Sequence, residues 1–269
     1  MDSHSETNPE CILQYAIPGG AVEFNVTISD LPNELFLVIF SGLPLPSLIS
    51  ARDVSQRWRD LVAAADIGPT RKKLLQLYFQ VITSPALEPC RRELTPYLQS
   101  FNRQQFLHSR QSSIGATSLP EEFALWILEW PSHAVFSWLW PGLPPDPNTS
   151  LKYSLKTRMN HLAYQNCSSS ESWLIQFKEN PGDGQWTASE PVPPPTTNYC
   201  SLLRIRTQSE YLGTGYSTDY LMCDGWGKGT QYEGRVITAS SDSETNKNAQ
   251  FSWVDYLKAE LEAVERLVG

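Results

Sequence analysis

The chain has 269 residues, of which 41% are hydrophobic and nine are tryptophan, so it can bury a packed core and is not a disordered protein. Its net charge of −8 argues against a general nucleic-acid binder. The five cysteines are odd in number and never spaced C-x-x-C, which favours a protein of the cytoplasm or nucleus over a secreted one.

Residues 1–26 are predicted to form a flexible leader. The chain starts with the polar and acidic sequence MDSHSETNPE, which lacks an apolar signal region. The sequence contains no run of about 18 apolar residues, so we predict no membrane span.

Residues 27–66 have the pattern of three short helices. Pro32 suits the first turn of a helix, where its missing N–H breaks no hydrogen bond. Apolar residues then recur at three- and four-residue steps and predict one apolar helix face: Leu31, Leu35, Val38, Ile39 and Leu43. A second helix is predicted through Leu48, and a third along Val54 and Trp58. Such short helices bury too little apolar area to be stable alone, so some of these faces must contact a partner or the rest of the chain.

The same stretch resembles an F-box, an adaptor-docking module. The residues that carry the resemblance are Leu31-Pro32, Glu34, Ile39, Leu43-Pro44, Leu48, Val54, Ser55, Trp58 and Leu61. The resemblance implies the substrate receptor of an SCF-type cullin–RING ubiquitin ligase, with a Skp-type adaptor and, through it, a cullin as partners. It further implies that one set of residues faces the adaptor or supports that interface: Leu31, Pro32, Leu35, Ile39, Leu43, Leu48, Val54 and Trp58. An ordinary three-helix core segment is the alternative interpretation.

Residues 67–118 are predicted to be a helical linker. A helix that opens at Pro69 or Thr70 extends through Val81, and helical periodicity continues over residues 86–110. The basic run Arg71–Lys73 is interpreted as a solvated helix face rather than a nucleic-acid patch.

Residues 119–269 begin with another helix and then change character. The start LPEEF predicts a helix whose apolar face consists of Phe123, Trp126, Ile127 and Trp130. Candidate strands follow at residues 173–178, 201–207, 220–223 and 235–238. Residues 252–268 predict a final amphipathic helix with an apolar face of Val254, Leu257, Leu261, Val264 and Leu267. Helices, then strands, then a closing helix is an α+β order.

This C-terminal region resembles the SUKH superfamily through three segments: the start LPEEF, the string YLMCDGWGKGTQYEGRVI and the closing helix. SUKH domains are α+β folds with a strongly curved sheet, and they bind proteins. The resemblance therefore implies a curved, mainly antiparallel sheet and a substrate-binding role for residues 119–269, although the proline-rich residues 141–200 do not align. Chains that join an F-box to such a region are of a fungal type.

No segment of the sequence is typical of a catalyst, so we predict no enzyme, cofactor or metal site. The string GWGKG at residues 225–229 lacks the P-loop pattern, the four histidines are far apart, and no G-x-S-x-G occurs. Three tryptophans on turn-rich loops are candidate residues for gripping a protein substrate: Trp138, Trp140 and Trp226. Core packing is the alternative for these rings.

Three interpretations of the whole chain stay open. The first is the ligase substrate receptor, and its partners include neither nucleic acid nor membrane. The second is a non-ligase scaffold or regulatory protein of SUKH type, whose F-box docks onto its own chain. The third is an unrecognised enzyme in the middle region.

Overall fold

A computed structural model describes residues 27–145, 158–163, 176–179, 186–189, 200–209, 216–225, 233–240 and 245–268. Within these ranges the chain starts with helices, continues with strands and closes with a helix. This is the α+β order that the sequence predicts.

Eight α-helices lie in the described ranges. Their bounds are α1 Asn33–Gly42, α2 Leu45–Val54, α3 Gln56–Ala64, α4 Pro69–Thr83, α5 Leu87–Leu94, α6 Arg103–Ile114, α7 Glu121–Glu129 and α8 Trp253–Val268. Val54 was predicted in the third helix but ends α2, because Ser55 caps α3 by accepting a hydrogen bond from the Trp58 backbone N–H.

The first helix is apolar on more than one face. Residues 35–40, LFLVIF, are six consecutive apolar residues. Phe36 and Phe40 point into the core and contact the Trp58 ring, with centroids 5.1 and 5.4 Å away. Leu35 and Ile39, which the sequence placed on the apolar stripe, lie on another face and are exposed. The predicted stripe is therefore the outward face of α1, and the inward face was missed.

The strands form one antiparallel sheet in the order β1-β4-β5-β6-β7-β3-β2. Their bounds are β1 Arg158–Asn160, β2 Gln176–Glu179, β3 Trp186–Ser189, β4 Cys200–Ser209, β5 Tyr216–Gly225, β6 Arg235–Ser240 and β7 Thr245–Ser252. The four predicted strands correspond to β2, β4, β5 and β6. The sequence did not reveal β1 and β3, which are very short, or β7, whose residues TNKNAQFS are mostly polar.

The predicted apolar faces of α7 and α8 are buried. Phe123, Trp126 and Ile127 of α7 are at most 3% exposed, and Trp130 directly follows them in the core. The inward face of α8 consists of Val254, Leu257, Leu261 and Val264. Leu267, the fifth predicted member, lies outside the residues whose side chains the structure describes.

Residues 67–118 are helical, as predicted, but they do not form a separate linker. The helix α4 contacts α2, α7 and α8, while α5 contacts α8 and α6 contacts α7 and β4. One hydrophobic cluster extends from Phe36 in α1 to Val264 in α8. A chain cut between residues 110 and 119 would expose this shared core, so the functions of the two ends are best separated with point variants of the whole chain.

A buried ionic cluster joins the sheet to α8. The Arg206 guanidinium on β4 contacts the carboxylates of Asp219 on β5, at 2.6 Å, and of Glu260 on α8, at 2.5 Å. Asp219 also accepts hydrogen bonds from the hydroxyls of Tyr256, at 2.8 Å, and Thr238, at 2.6 Å. Burial alone would lower the pKa of Arg206, but its oxygen-bearing neighbours raise it above its ordinary value. The guanidinium is thus a permanent positive charge inside the protein.

Candidate functional site

A group of exposed apolar side chains lies in the first three helical segments of the described chain. We call it the α1 surface, and its members are 45% to 70% exposed: Ile28, Leu35, Val38, Ile39 and Val54. They are five of the seven exposed large hydrophobic side chains among the described residues. Exposed apolar side chains collected in one region mark an interaction site, because water disfavours their exposure.

The Arg57 side chain positions the α1 surface. Its guanidinium donates to the backbone oxygen of Leu31 at 2.9 Å and to the side-chain oxygen of Asn33 at 2.8 Å. These bonds hold the start of α3 against the start of α1. The junction of α2 and α3, where Val54 lies, is therefore brought beside the first turn of α1.

An aromatic layer supports the α1 surface from below. The rings of Phe36 and Phe40 lie 5.6 Å apart, and both contact Trp58. Leu48 on α2 is fully buried in the same core. Because tightly packed side chains have little freedom to move, this layer holds in place the helix α1, which carries Leu35, Val38 and Ile39.

The eight residues predicted to serve adaptor binding occupy three kinds of position. Four are exposed: Pro32, Leu35, Ile39 and Val54. Leu31, Leu43 and Trp58 are half-buried, and Leu48 is buried. Trp58 and Leu48 are therefore suited to support the interface from inside rather than to contact an adaptor directly. Which of the eight touch an adaptor stays a prediction.

Two members of the α1 surface were missed as site residues. Val38 lies three residues after Leu35, so helical spacing alone places it on the same face. Ile28 belongs to a 3₁₀ turn, Ile28–Asp30, that precedes α1. Such a short turn has no periodicity from which its exposed side could be predicted.

Of the three tryptophans predicted to bind a substrate, Trp140 is not on the surface. Its side chain is 1% exposed and contacts the rings of Trp126 at 4.9 Å and Phe101 at 5.6 Å. The prediction that it lines an accessible surface is wrong, because these aromatic neighbours bury its large apolar area. Trp138 is half-buried, and its indole N–H donates to the backbone oxygen of Pro144 at 2.9 Å. Trp226 lies outside the described residues.

A cavity of about 390 Å³ opens beside α6. Its lining residues are Ser100, Phe101, Asn102, Gln105, Phe106, Ser109, Arg110 and Pro141. Trp140 does not line the cavity, but its ring packs against Phe101, which does. The predicted tryptophan therefore shapes a concave surface without being part of it.

Close backbone packing shapes one side of this cavity. The Gln99 backbone N–H donates to the Gly142 oxygen at 2.7 Å. A Cβ at position 142 would overlap the Gln99 carbonyl oxygen, so only glycine fits there. The turn before α6 is thereby held against the segment that follows Trp140.

Arg110 ties the cavity to the short 3₁₀ turn His161–Ala163, which directly follows β1. Its guanidinium, almost fully buried, donates to the backbone oxygens of His161 at 3.3 Å and Leu162 at 3.1 Å. Burial, together with the charges of Arg204 and Arg110, lowers the pKa of His161 to about 4. This histidine is therefore neutral near pH 7, and its role there is structural rather than electrostatic.

The described ranges contain neither a metal-binding cluster of side chains nor a helix suited to a membrane span. Their His, Cys, Asp and Glu side chains form no group of three or more suited to a metal ion. None of the helices within those ranges has the length and apolar character needed to cross a bilayer.

Comparison with known protein families identifies the segment that carries the α1 surface. Residues 28–66 match the F-box-like family model, which confirms the F-box prediction. The chain therefore carries an F-box-like domain. F-box domains bind Skp-type adaptors, generally within SCF complexes. Neither the curated proteins nor the solved structures gave a match to the chain, and the resemblance of residues 119–269 to the SUKH superfamily stays a prediction.

Proposed function

We propose that the protein is the substrate-receptor subunit of an SCF-type cullin–RING ubiquitin ligase in the cytoplasm or nucleus. Its F-box would dock a Skp-type adaptor, and its C-terminal region would recruit a protein substrate. The protein itself would have no catalytic role. The observation that carries this proposal is the exposed α1 surface inside the segment that matches the F-box-like family.

The contacts of the F-box favour a receptor over a self-contained scaffold. The F-box packs on the rest of the chain through α2, which contacts α4. Leu35, Val38 and Ile39 on α1 remain exposed. The described part of the chain thus leaves the α1 surface open to another protein, whereas a scaffold whose F-box docks onto its own chain would cover it.

The first experiment is complex formation with a Skp-type adaptor. We expect the wild-type chain to co-elute with the adaptor in size-exclusion chromatography, and the Leu31→Ala, Pro32→Ala double variant to elute separately. Leu31 is half-buried and Pro32 is the N-cap of α1, so the double change removes apolar contact and loosens the entry into the helix. The fold should persist, because the hydrogen bond from Arg57 reaches the backbone oxygen of Leu31.

The matched control for this experiment is Leu128→Ala on α7, outside the F-box. It should co-elute with the adaptor like the wild type. Co-elution of the double variant would refute the assigned adaptor site. A wild-type chain that ignores the adaptor would favour the scaffold interpretation instead.

For the substrate, we propose that the cavity beside α6 binds a polar peptide segment. Its volume of about 390 Å³ lies in the usual range for binding sites. Ser100, Gln105 and Ser109 are exposed and offer uncharged hydroxyl and amide groups, while Phe101 and Phe106 supply ring surface. Such a lining suits hydrogen bonds to a peptide backbone or to an uncharged polar side chain.

The test of the cavity is a Gln105→Ala, Ser109→Ala double variant. We expect it to bind the substrates of the wild-type chain about 30-fold more weakly, because two hydrogen bonds contribute roughly 1 kcal/mol each. Capture is measured by quantitative proteomics with the full chain bound to its adaptor. The control is Gln104→Ala with Ser112→Ala, the same two changes at exposed positions of α6 that do not line the cavity. Equal capture by both double variants would exclude the cavity.

A further inference from the structure

Besides the shared apolar core, one buried carboxylate connects the F-box to two later helices. Glu129, the last residue of α7, is 9% exposed and accepts a hydrogen bond from the Leu45 backbone N–H at 2.8 Å. Both oxygens of the same carboxylate accept from the Arg71 guanidinium of α4, at 2.7 to 3.1 Å. This carboxylate raises the pKa of Arg71. Three helices that are distant in sequence therefore meet at Glu129.

The helix α2 depends on this contact for its first turn. The first N–H groups of a helix have no partner within the helix. Pro44 is the N-cap of α2 and offers no side-chain acceptor, and Pro46 has no N–H at all. Glu129 supplies the missing acceptor from 84 residues away, and its negative charge suits the positive end of the helix dipole.

The first turn of α7 repeats the arrangement within the C-terminal region. Glu122 accepts from the Val254 backbone N–H, in the first turn of α8, at 3.0 Å. It also accepts from the Lys73 ammonium group of α4 at 2.6 Å. Burial alone would raise the pKa of Glu122, but these hydrogen bonds outweigh it and lower the pKa. One end of α7 thus caps a helix of the C-terminal region, and the other end caps a helix of the F-box.

We propose that Glu129 is a positioning residue that fixes the orientation of the F-box relative to the C-terminal region. The chain then holds a bound substrate at a set distance and angle from the adaptor. This consequence rests on the proposed ligase function, whereas the fixed orientation is a property of the chain alone. Glu122 is a natural control, because it has the same chemistry on the same helix but its bonds do not reach the F-box.

The first measurement is amide hydrogen exchange in the full-length chain. In Glu129→Ala we expect the amides at the start of α2 to exchange about fivefold faster, since losing a helix cap costs roughly 1 kcal/mol. The start of α8 should exchange as in the wild type. Glu122→Ala should show the reverse pattern. Unchanged exchange at α2 in Glu129→Ala would overturn the assigned cap.

The second measurement is the distance distribution between spin labels on exposed Asp60 of α3 and exposed Glu262 of α8. We expect a wider distribution in Glu129→Ala and the wild-type distribution in Glu122→Ala. Glu129→Gln keeps an acceptor for the Leu45 N–H but loses the charge facing Arg71. The distance distribution of this variant should therefore have an intermediate width. A wild-type distribution in Glu129→Ala would show that the shared hydrophobic core alone sets the orientation, and would refute the positioning role.

Binding of a Skp-type adaptor is measured on the same variants. We expect both alanine variants to bind it as the wild type does, because neither residue belongs to the α1 surface. If only Glu129→Ala lost adaptor binding, Glu129 would be needed for the shape of the adaptor site and not for the orientation of the F-box. A wild-type chain that fails to bind the adaptor would refute the ligase function and leave the two structural measurements valid.

Discussion

A Leu35→Asp, Ile39→Asp double variant is expected to lose adaptor binding while the protein stays folded. Both side chains are about half exposed, so their replacement removes little of the core. In a complex they would become buried, and burying a large aliphatic side chain contributes about 1.5–3 kcal/mol. Two carboxylates at the same place would also have to lose their water. We therefore expect the dissociation constant to rise at least about 100-fold.

The measurement is isothermal titration calorimetry with a purified Skp-type adaptor, with the melting temperature as the check on folding. Leu128→Asp is the matched control, because Leu128 is also exposed and helical but lies on α7. It should bind as the wild type does. Equal affinity of the double variant and the wild type would place the adaptor on another surface.

The F-box could be predicted because its signal is local. Leu31-Pro32, Leu43-Pro44 and Trp58 keep a fixed spacing within about 30 residues, and the structure has three helices in this stretch, as predicted, although Val54 belongs to the second helix and not to the third. The burial of α1 could not be predicted in the same way. With six consecutive apolar residues, several faces of that helix are equally apolar, and only packing against Trp58 decides which one turns inward.

No local sequence pattern could predict the role of Glu129. The sequence shows an acidic residue at the end of α7, where a negative charge is unfavourable for its own helix dipole. Its partners, Leu45 and Arg71, are 84 and 58 residues away. The basic run Arg71–Lys73 was predicted as a solvated face, but two of its residues pair with acids of α7: Arg71 with Glu129 and Lys73 with Glu122. Such pairings become visible only when the tertiary structure brings the helices together.

The burial of the tryptophans could not be predicted from local sequence either. Trp138 and Trp140 lie on one turn-rich segment, so the sequence gives them similar surroundings. The structure separates them, since Trp140 packs against Trp126 while Trp138 contacts Tyr97 and stays half-buried. The cavity beside α6 had no sequence signal either, because its lining combines the turn before α6, one face of that helix and Pro141.

Arg206→Met is expected to cause the largest loss of stability among the single changes considered. The substitution leaves two carboxylates, Asp219 and Glu260, buried at about one-tenth exposure or less without their shared cation. Removing one partner of a buried ionic group costs about 3–5 kcal/mol. The free energy of unfolding, measured by chemical denaturation of the full chain, should fall by that amount. Arg92→Met, which breaks an exposed pair with Glu88, should change it by less than about 1 kcal/mol.

A second substitution separates charge from packing as the cause. Adding Glu260→Gln to Arg206→Met removes one of the uncompensated carboxylates, so we expect the double variant to recover part of the lost free energy of unfolding. If methionine simply packs poorly between β4 and α8, the second change would bring no recovery. Recovery would mean that the cation is required because Asp219 and Glu260 lie close together in the core. The sheet would then owe its attachment to α8 to this ionic cluster as well as to the apolar face of the helix.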